Sequence, residues 1–204
     1  MMTEQSILEQ KLSQIFNAIK NDPANAVYTA QKIEPLYAAA ATAKILLIGQ
    51  APGKKAQATK RCWNDQSGVR LRKWMGVTTA EFYDSTSIAI LPADFYYPGK
   101  GKHGDLPPRR GFAAKWHPQL LKLMPNIQLS LLIGSYAQHE YLELPKTVAL
   151  TEVVHNYQNY LPKYFPLVHP SPLNGGWLKR NPWFEEKVVP TLKKRVRQIL
   201  NEKD

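Results

Sequence analysis

Tyr164-Phe165-Pro166-Leu167-Val168-His169-Pro170-Ser171-Pro172-Leu173-Asn174 joins an apolar run to a short polar loop stiffened by prolines. The apolar half reads as a strand, so His169 stands at its carboxyl end. Proline fixes φ at about −65° and pushes the residue before it to an extended conformation, so His169 and Ser171 are confined to one geometry. A loop of this kind pre-organises a site. The same string is also compatible with a plain strand-to-helix connection whose histidine is hydrogen-bonded for structural reasons.

A second strand-end loop lies upstream. Gly49-Gln50-Ala51-Pro52-Gly53 follows the apolar run Ile45-Leu46-Leu47-Ile48. Its end glycines allow φ > 0 or a close backbone approach to a ligand. Pro52 rigidifies the middle, and Gln50 offers both a donor and an acceptor. The spacing is neither GxGxxG nor GxxxxGK[ST], so nothing points to a dinucleotide or to ATP.

Between these loops the pattern alternates. Apolar β-like runs occupy residues 44–48, 87–91, 129–133 and 164–168, with a fifth, shorter candidate at 147–150. Helical periodicity covers residues 69–75, 112–124, 135–141 and 181–200. Such alternation predicts a three-layer α/β/α sandwich around a central, mostly parallel four-stranded sheet. Before it, residues 4–20 have helical periodicity, and Asp22 as N-cap with Pro23 opens a second helix through about residue 41. Residues 1–43 therefore read as a helical N-terminal preface to a single domain spanning 1–204. In a parallel sheet ligands bind outside the carboxyl ends of the strands, where both proline-containing loops fall. Residues 92–105, which mix aromatics, glycines and lysines, and Gly134-Ser135-Tyr136 end the other two strands.

Composition narrows the partners. Against 16 Asp and Glu stand 27 Lys and Arg, leaving +11 and a pI near 9.7. That balance suits a polyanion such as nucleic acid or an anionic membrane surface, although charge alone does not prove binding. The first twenty residues lack a basic segment followed by an apolar one, so no secretory signal is visible. Apolar runs such as 129–133 and 37–43 fall well short of the ~20 residues that span a bilayer, so a soluble, non-membrane protein is expected. Cys62 is the only cysteine, which excludes an intrachain disulfide, a Cys-rich zinc site and a four-thiolate iron–sulfur cluster, and suits a reducing cytoplasm. The five histidines show no HExxH spacing, so neither metal nor cofactor is expected.

Taken together, GQAPG after the first strand and HPSPLN after the last resemble the two signature motifs of the uracil-DNA glycosylase superfamily. Their order, and a separation of about 120 residues, are also similar. The stretch Arg61-Cys62-Trp63-Asn64-Asp65-Gln66-Ser67-Gly68-Val69-Arg70-Leu71 looks like the segment after the first motif in the cluster-containing bacterial and archaeal branch. Leu131-Leu132-Ile133-Gly134-Ser135 resembles the strand and turn before the penultimate helix. The likeness covers roughly residues 44–190.

The resemblance implies a DNA glycosylase that flips a base out of the stack and hydrolyses its N-glycosidic bond. It puts Trp63 on the aromatic position that stacks on the base, with Phe95 or Tyr96 as alternatives. It gives His169 the role of a donor to the departing base's carbonyl oxygen. Gln50, Gly49, Ala51 and Gly53 would touch the base and position water. Leu173 resembles the apolar wedge that fills the gap in the duplex. Ser171, Pro172, the Gly175-Gly176 amides, Lys179 and Arg180 would bind DNA, with Lys54, Lys55, Lys60, Arg61, Lys100 and Lys102 as further phosphate contacts.

Three departures modify this expectation. The cluster cysteines are absent, which implies a cluster-free relative. The aspartate that follows the motif-one glutamine in well-known members is Ala51 here. Asp65, where the related segment carries glycine, is a candidate to activate water, or simply a helix cap. The asparagine that reads the uracil edge after the second strand is replaced by Pro92, with Asp94 or Asn64 as substitutes. An ionised aspartate only accepts, so Asp94 would favour a base that offers a donor pair. Trp74, Trp116, Trp177 and Trp183 are expected to be packing residues. The reading is therefore a monomeric, cofactor-free glycosylase acting on DNA. Its rivals are a non-catalytic nucleic-acid-binding relative and an enzyme for free nucleosides.

Overall fold

The computed structural model describes residues 3–102, 104–145 and 147–202. In chain order the elements begin with α1 (Glu4–Lys20), a 3-10 turn at Pro23–Asn25, α2 (Ala26–Ala30) and β1 (Ile45–Ile48). There follow α3 (Lys54–Thr59), α4 (Gln66–Met75), α5 (Thr79–Tyr83), β2 (Ile88–Ile90), the short pair β3 (Lys100–Gly101) and β4 (Gly104–Asp105), and α6 (Phe112–Leu121). The chain continues through β5 (Leu129–Ile133), α7 (Ser135–Tyr141), α8 (Leu150–His155), β6 (Tyr164–Leu167) and α9 (Gly175–Arg180). A π-helical turn at Phe184–Val188 leads into α10 (Val189–Asn201).

The four long strands form one sheet in the order β2-β1-β5-β6, and every neighbouring pair is parallel. Parallel strands covered on both faces read as continuous apolar runs, and β1 and β5 are buried at every position. The pleat then sorts them by parity. Ile45, Leu47, Ile88, Ile90, Leu129, Leu131, Phe165 and Leu167 point into one core with Leu71, Trp74 and Met75 of α4 and Leu192, Val196 and Ile199 of α10. Leu46, Ile48, Ala89 and Leu132 point the other way, onto Leu12 and Ile19 of α1 and Phe112, Trp116 and Leu120 of α6. The result is an α/β protein with a central four-stranded parallel sheet flanked by helices, as the alternation predicts. Pro166, which has no N–H for the ladder, sits in the edge strand β6, where a missing donor is tolerated.

Two expectations fail. The second helix stops at Ala30 rather than near residue 41. Lys32 takes a left-handed φ of 57°, and Pro35 disfavours helical backbone at Glu34. The chain then runs extended, and Ala38 exchanges both backbone hydrogen bonds with Ile90, closing the outer edge of β2. The fifth strand at 147–150 does not form, because that stretch is a turn entering α8. The 3-10 turn does open as expected, with Asp22 capping it by accepting from the Ala24 amide at 2.9 Å.

Candidate active site

The carboxyl ends of the strands converge on one cavity of about 400 Å³, a volume typical of small-ligand sites. Gly49, Gln50, Ala51, Pro52 and Gly53 line it from the end of β1, Pro92 from beyond β2, and His169, Ser171 and Leu173 from beyond β6. Trp63, Asp65 and Ser67 line it from the segment that leads into α4, and Lys100, Gly104 and Asp105 from the β3–β4 pair. The ladder does not stop at the strand ends. Leu91, Ala93 and Asp94 donate their amides to the carbonyls of Leu47, Gly49 and Gln50, which fixes Pro92 beside the first loop.

Trp63 is half-buried against the core and is fixed through its backbone. Its φ is 54°, a left-handed conformation that is costly for a bulky residue. Its carbonyl accepts from Arg72 Nη1 and Tyr83 Oη, both at about 3.4 Å, and Tyr83 also donates to the Cys62 carbonyl at 3.0 Å. The indole passes close to Gly49, where a Cβ would lie 3.1 Å from Cζ2 of the ring. Gly68 accommodates the Trp63 carbonyl, and a Cβ there would meet that oxygen at 1.7 Å. Neither Gly49 nor Gly53 has the positive φ that the sequence allows. Gly49 serves close approach, and beside Gly53 the space a Cβ would take is open.

His169 faces the indole with ring centroids 5.5 Å apart. Its Nδ1 accepts the Ser171 amide at 3.2 Å, so in the neutral ring the proton sits on Nε2. Burial holds its pKa below the ordinary histidine value, and the charge of Asp65 opposes that shift. Three further bonds fix the loop: Arg70 Nη1 donates to the Ser171 carbonyl at 3.0 Å, Asn174 Nδ2 to the His169 carbonyl at 2.8 Å, and the Leu173 amide to Ser171 Oγ at 3.2 Å. Leu173 is left 92% exposed at the rim. Asp65 caps α4, accepting the Gly68 amide on Oδ1 at 2.9 Å. Gln50 donates Nε2 to the Leu106 carbonyl at 2.9 Å, which leaves its Oε1 as an acceptor. A smaller cavity of about 250 Å³ shares Gln50 and His169 and is lined also by Ser135, Asn174 and Trp177.

Not every residue chosen from sequence reaches the cavity. Asp94 is fully buried elsewhere, accepting Arg109 Nε at 2.7 Å and Nη2 at 2.8 Å, together with the amides of Tyr96 and Arg109. A carboxylate so engaged has no lone pair left for a base edge. Phe95 is also fully buried, stacked on His117 at 5.6 Å and packed against Tyr37 and Phe112. Asn64 donates to Thr59 Oγ1 at 3.1 Å and does not line the cavity. Pro92 is spent too, because His117 Nε2 bonds its carbonyl at 2.9 Å. Lys179 and Arg180 stand exposed at the end of α9, away from the cavity wall. Lys54, Lys55, Lys60, Arg61 and Lys102 are likewise exposed and outside the cavity lining, whereas Lys100 is exposed at its wall, and His103 lies outside the described residues. Among the described residues no group of three or more His, Cys, Asp or Glu is placed to hold a metal. No described helix is long and apolar enough to cross a membrane.

Sequence reasoning assigned no part to Ser67, Arg70 or the Asp105 carboxylate. The last was hidden in a glycine-rich stretch whose fold depends on β3 pairing with β4.

A four-stranded parallel sheet with Trp63, the His169 loop and the Gly49–Gly53 loop around one crevice places the protein among α/β proteins whose ligand site lies outside the carboxyl ends of the strands. Comparison with protein-family models makes this specific: residues 36–193 match the Uracil DNA glycosylase superfamily, and the chain belongs to that superfamily. Membership carries a glycosylase-like function on DNA in general terms. The match takes in the whole sheet and leaves α1 and α2 outside it.

Proposed function

We propose that the protein is a cofactor-free, monomeric DNA N-glycosylase that excises uracil or a related deaminated or damaged base by base flipping, in base-excision repair in the cytoplasm. The observation that carries this reading is His169: an imidazole that lines one cavity together with Trp63 and whose Nδ1 is occupied by the Ser171 amide, which puts the proton of the neutral ring on Nε2. When the N-glycosidic bond breaks, its electron pair leaves with the base, and negative charge develops on the base oxygen. A fixed Nε2–H donor stabilises that charge, and one such donor is worth about 3 kcal/mol in other enzymes. Trp63 supplies the stacking face, and Gln50 Oε1 accepts a hydrogen bond from the attacking water, orienting the water oxygen toward C1′. Asp65 takes the water proton on Oδ2, the oxygen that capping leaves free. Leu173, Ser171, Pro172, Lys179 and Arg180 form the face toward the duplex. A large apolar side chain held in water at a loop tip is the geometry of a wedge.

One observation favours the rival reading of a non-catalytic DNA-binding relative. Ala51 provides no carboxylate in the first loop, and Asp65, one of two carboxylates that line the cavity, is partly engaged as a helix cap. Oligonucleotides carrying uracil, hypoxanthine or xanthine, in single and double strands, separate the two. Base release that falls by about 100- to 1000-fold in His169→Ala with DNA affinity unchanged is the expected result. Salt-dependent DNA binding without release of any base would favour the binding protein.

A further inference from the structure

From the end of the second strand Pro92 lines the cavity, and its side chain carries no donor or acceptor to read a base edge. Pro92 has no N–H, its carbonyl is bonded to His117, and Asp94 is locked to Arg109. Another wall is β3–β4. Lys100 and Asp105 are register partners across that pair. Their charged ends lie 3.6 Å apart, and both residues line the cavity together with His169 and Trp63. Tyr97 Oη donates to Asp105 Oδ1 at 3.4 Å, and Gln50 Nε2 ties the segment to the first loop through the Leu106 carbonyl. An ion pair this exposed contributes little to stability. A donor beside an acceptor at the wall of a ligand cavity has another use.

The geometry points to Lys100 and Asp105 as the specificity-determining pair that distinguishes a deaminated base from its parent. The inference rests on the glycosylase reading of the same site. Deamination inverts the edge of a base. Cytosine and adenine present an amino donor beside a ring-nitrogen acceptor, whereas uracil and hypoxanthine present a carbonyl acceptor beside a ring N–H donor. The Lys100 ammonium only donates and the Asp105 carboxylate only accepts, so together they complement the lactam edge of uracil or hypoxanthine. Against cytosine or adenine the same pair meets donor with donor and acceptor with acceptor. A site built to hydrogen-bond one edge rejects the analogue strongly, because its own polar groups are left unpaired. The pair thus takes over what one amide does with its two ends.

The test measures equilibrium binding and base release side by side. Binding uses duplexes with one 2′-fluoro nucleotide, resistant to hydrolysis, bearing uracil, cytosine, hypoxanthine or adenine. The proteins are wild type, Lys100→Met, Asp105→Ala, and the exchanged pair Lys100→Asp with Asp105→Lys, which keeps net charge and the cross-strand ion pair. Wild type should prefer each deaminated base to its parent by roughly 100-fold. Each single variant should lose at least tenfold of that ratio, and the exchanged pair should lose it without losing general duplex affinity. Release of uracil should fall in parallel. If the wild type discriminates but releases nothing, and the variants lose discrimination, the pair stands and the hydrolytic reading falls. Release by the wild type with unchanged ratios in all variants, or a uniform loss of affinity on every base in Lys100→Met, overturns the pair and leaves the glycosylase intact. Neither release nor discrimination in the wild type overturns both.

Discussion

In the proposed reaction His169 would act through its protonation state, and its surroundings set that state. The Ser171 amide points at Nδ1, so a proton there would face another donor. Burial likewise disfavours the cation. The folded pKa therefore lies below the ordinary value of 6.5, and the neutral, competent ring is fully present above that pH. Base release should be flat with respect to this group from neutrality upward and decline only on the acid side, as kcat/KM measured from pH 4.5 to 8.5 would show. A decline centred at or above 6.5 would contradict the assignment. Sequence located this histidine because flanking prolines advertise a fixed loop. It did not locate the fate of Asp94, because Arg109 lies fifteen positions away, and nothing in a string of residues says which of several cations a carboxylate meets.

At the level of elements, the segment from α3 to α4 determines where the aromatic stands. Asp65 caps the helix and Gly68 leaves room for the Trp63 carbonyl, so the turn and the helix start are one unit. Adding a methyl group at residue 68 puts it against backbone, which cannot rotate away. Gly68→Ala should cost about 1–3 kcal/mol, the range for overpacking, and should lower base release further than thermal unfolding at the assay temperature explains. Wild-type activity and melting in that variant would show that the turn relaxes freely. Strands were legible from their apolar runs, since a parallel sheet covered on both faces needs apolar side chains at every position. The short β3–β4 pair was not, because two-residue strands of lysine, glycine and aspartate carry no periodicity and exist only through pairing. The second helix was overextended for a related reason. Alanines at 38–41 favour helix locally, yet Ala38 is recruited to the edge of β2, and tertiary pairing outweighs a propensity of a few tenths of a kcal/mol.

Across the whole molecule, two buried polar centres tie the outer layers to the site. One is Asp94 with Arg109, which also reaches the Ala24 carbonyl at 3.1 Å and Asn25 Oδ1 at 2.7 Å, so it joins the N-terminal segment to the end of β2. Removing the cation leaves a buried charge unpaired, a loss of about 3–5 kcal/mol. Arg109→Met should lower urea stability by that amount, while folded protein keeps its base preference. The other is His117, which bridges the Pro92 carbonyl and Tyr141 Oη. Burial lowers its pKa from 6.5 to about 4, so the folded state holds this proton less tightly than the unfolded chain. Its contribution to stability is complete above 6.5, falls as pH drops toward 4, and reaches roughly 3 kcal/mol by linkage. Between pH 7.5 and 4.5 this group should account for about 2.5 kcal/mol of the fall in unfolding free energy of the wild type, a part that should be missing in His117→Phe. Glu81, held down to about 2 by Arg197 and the Thr78 amide, loses its stabilisation over the same acid direction. Local patterns of apolarity, proline and glycine were enough to read the layered parallel fold, the strand ends at the candidate site, and the loops of His169 and Gln50. Only the tertiary structure decided which polar side chains face the cavity and which are consumed as mutual partners, because that depends on contacts between residues distant in the chain.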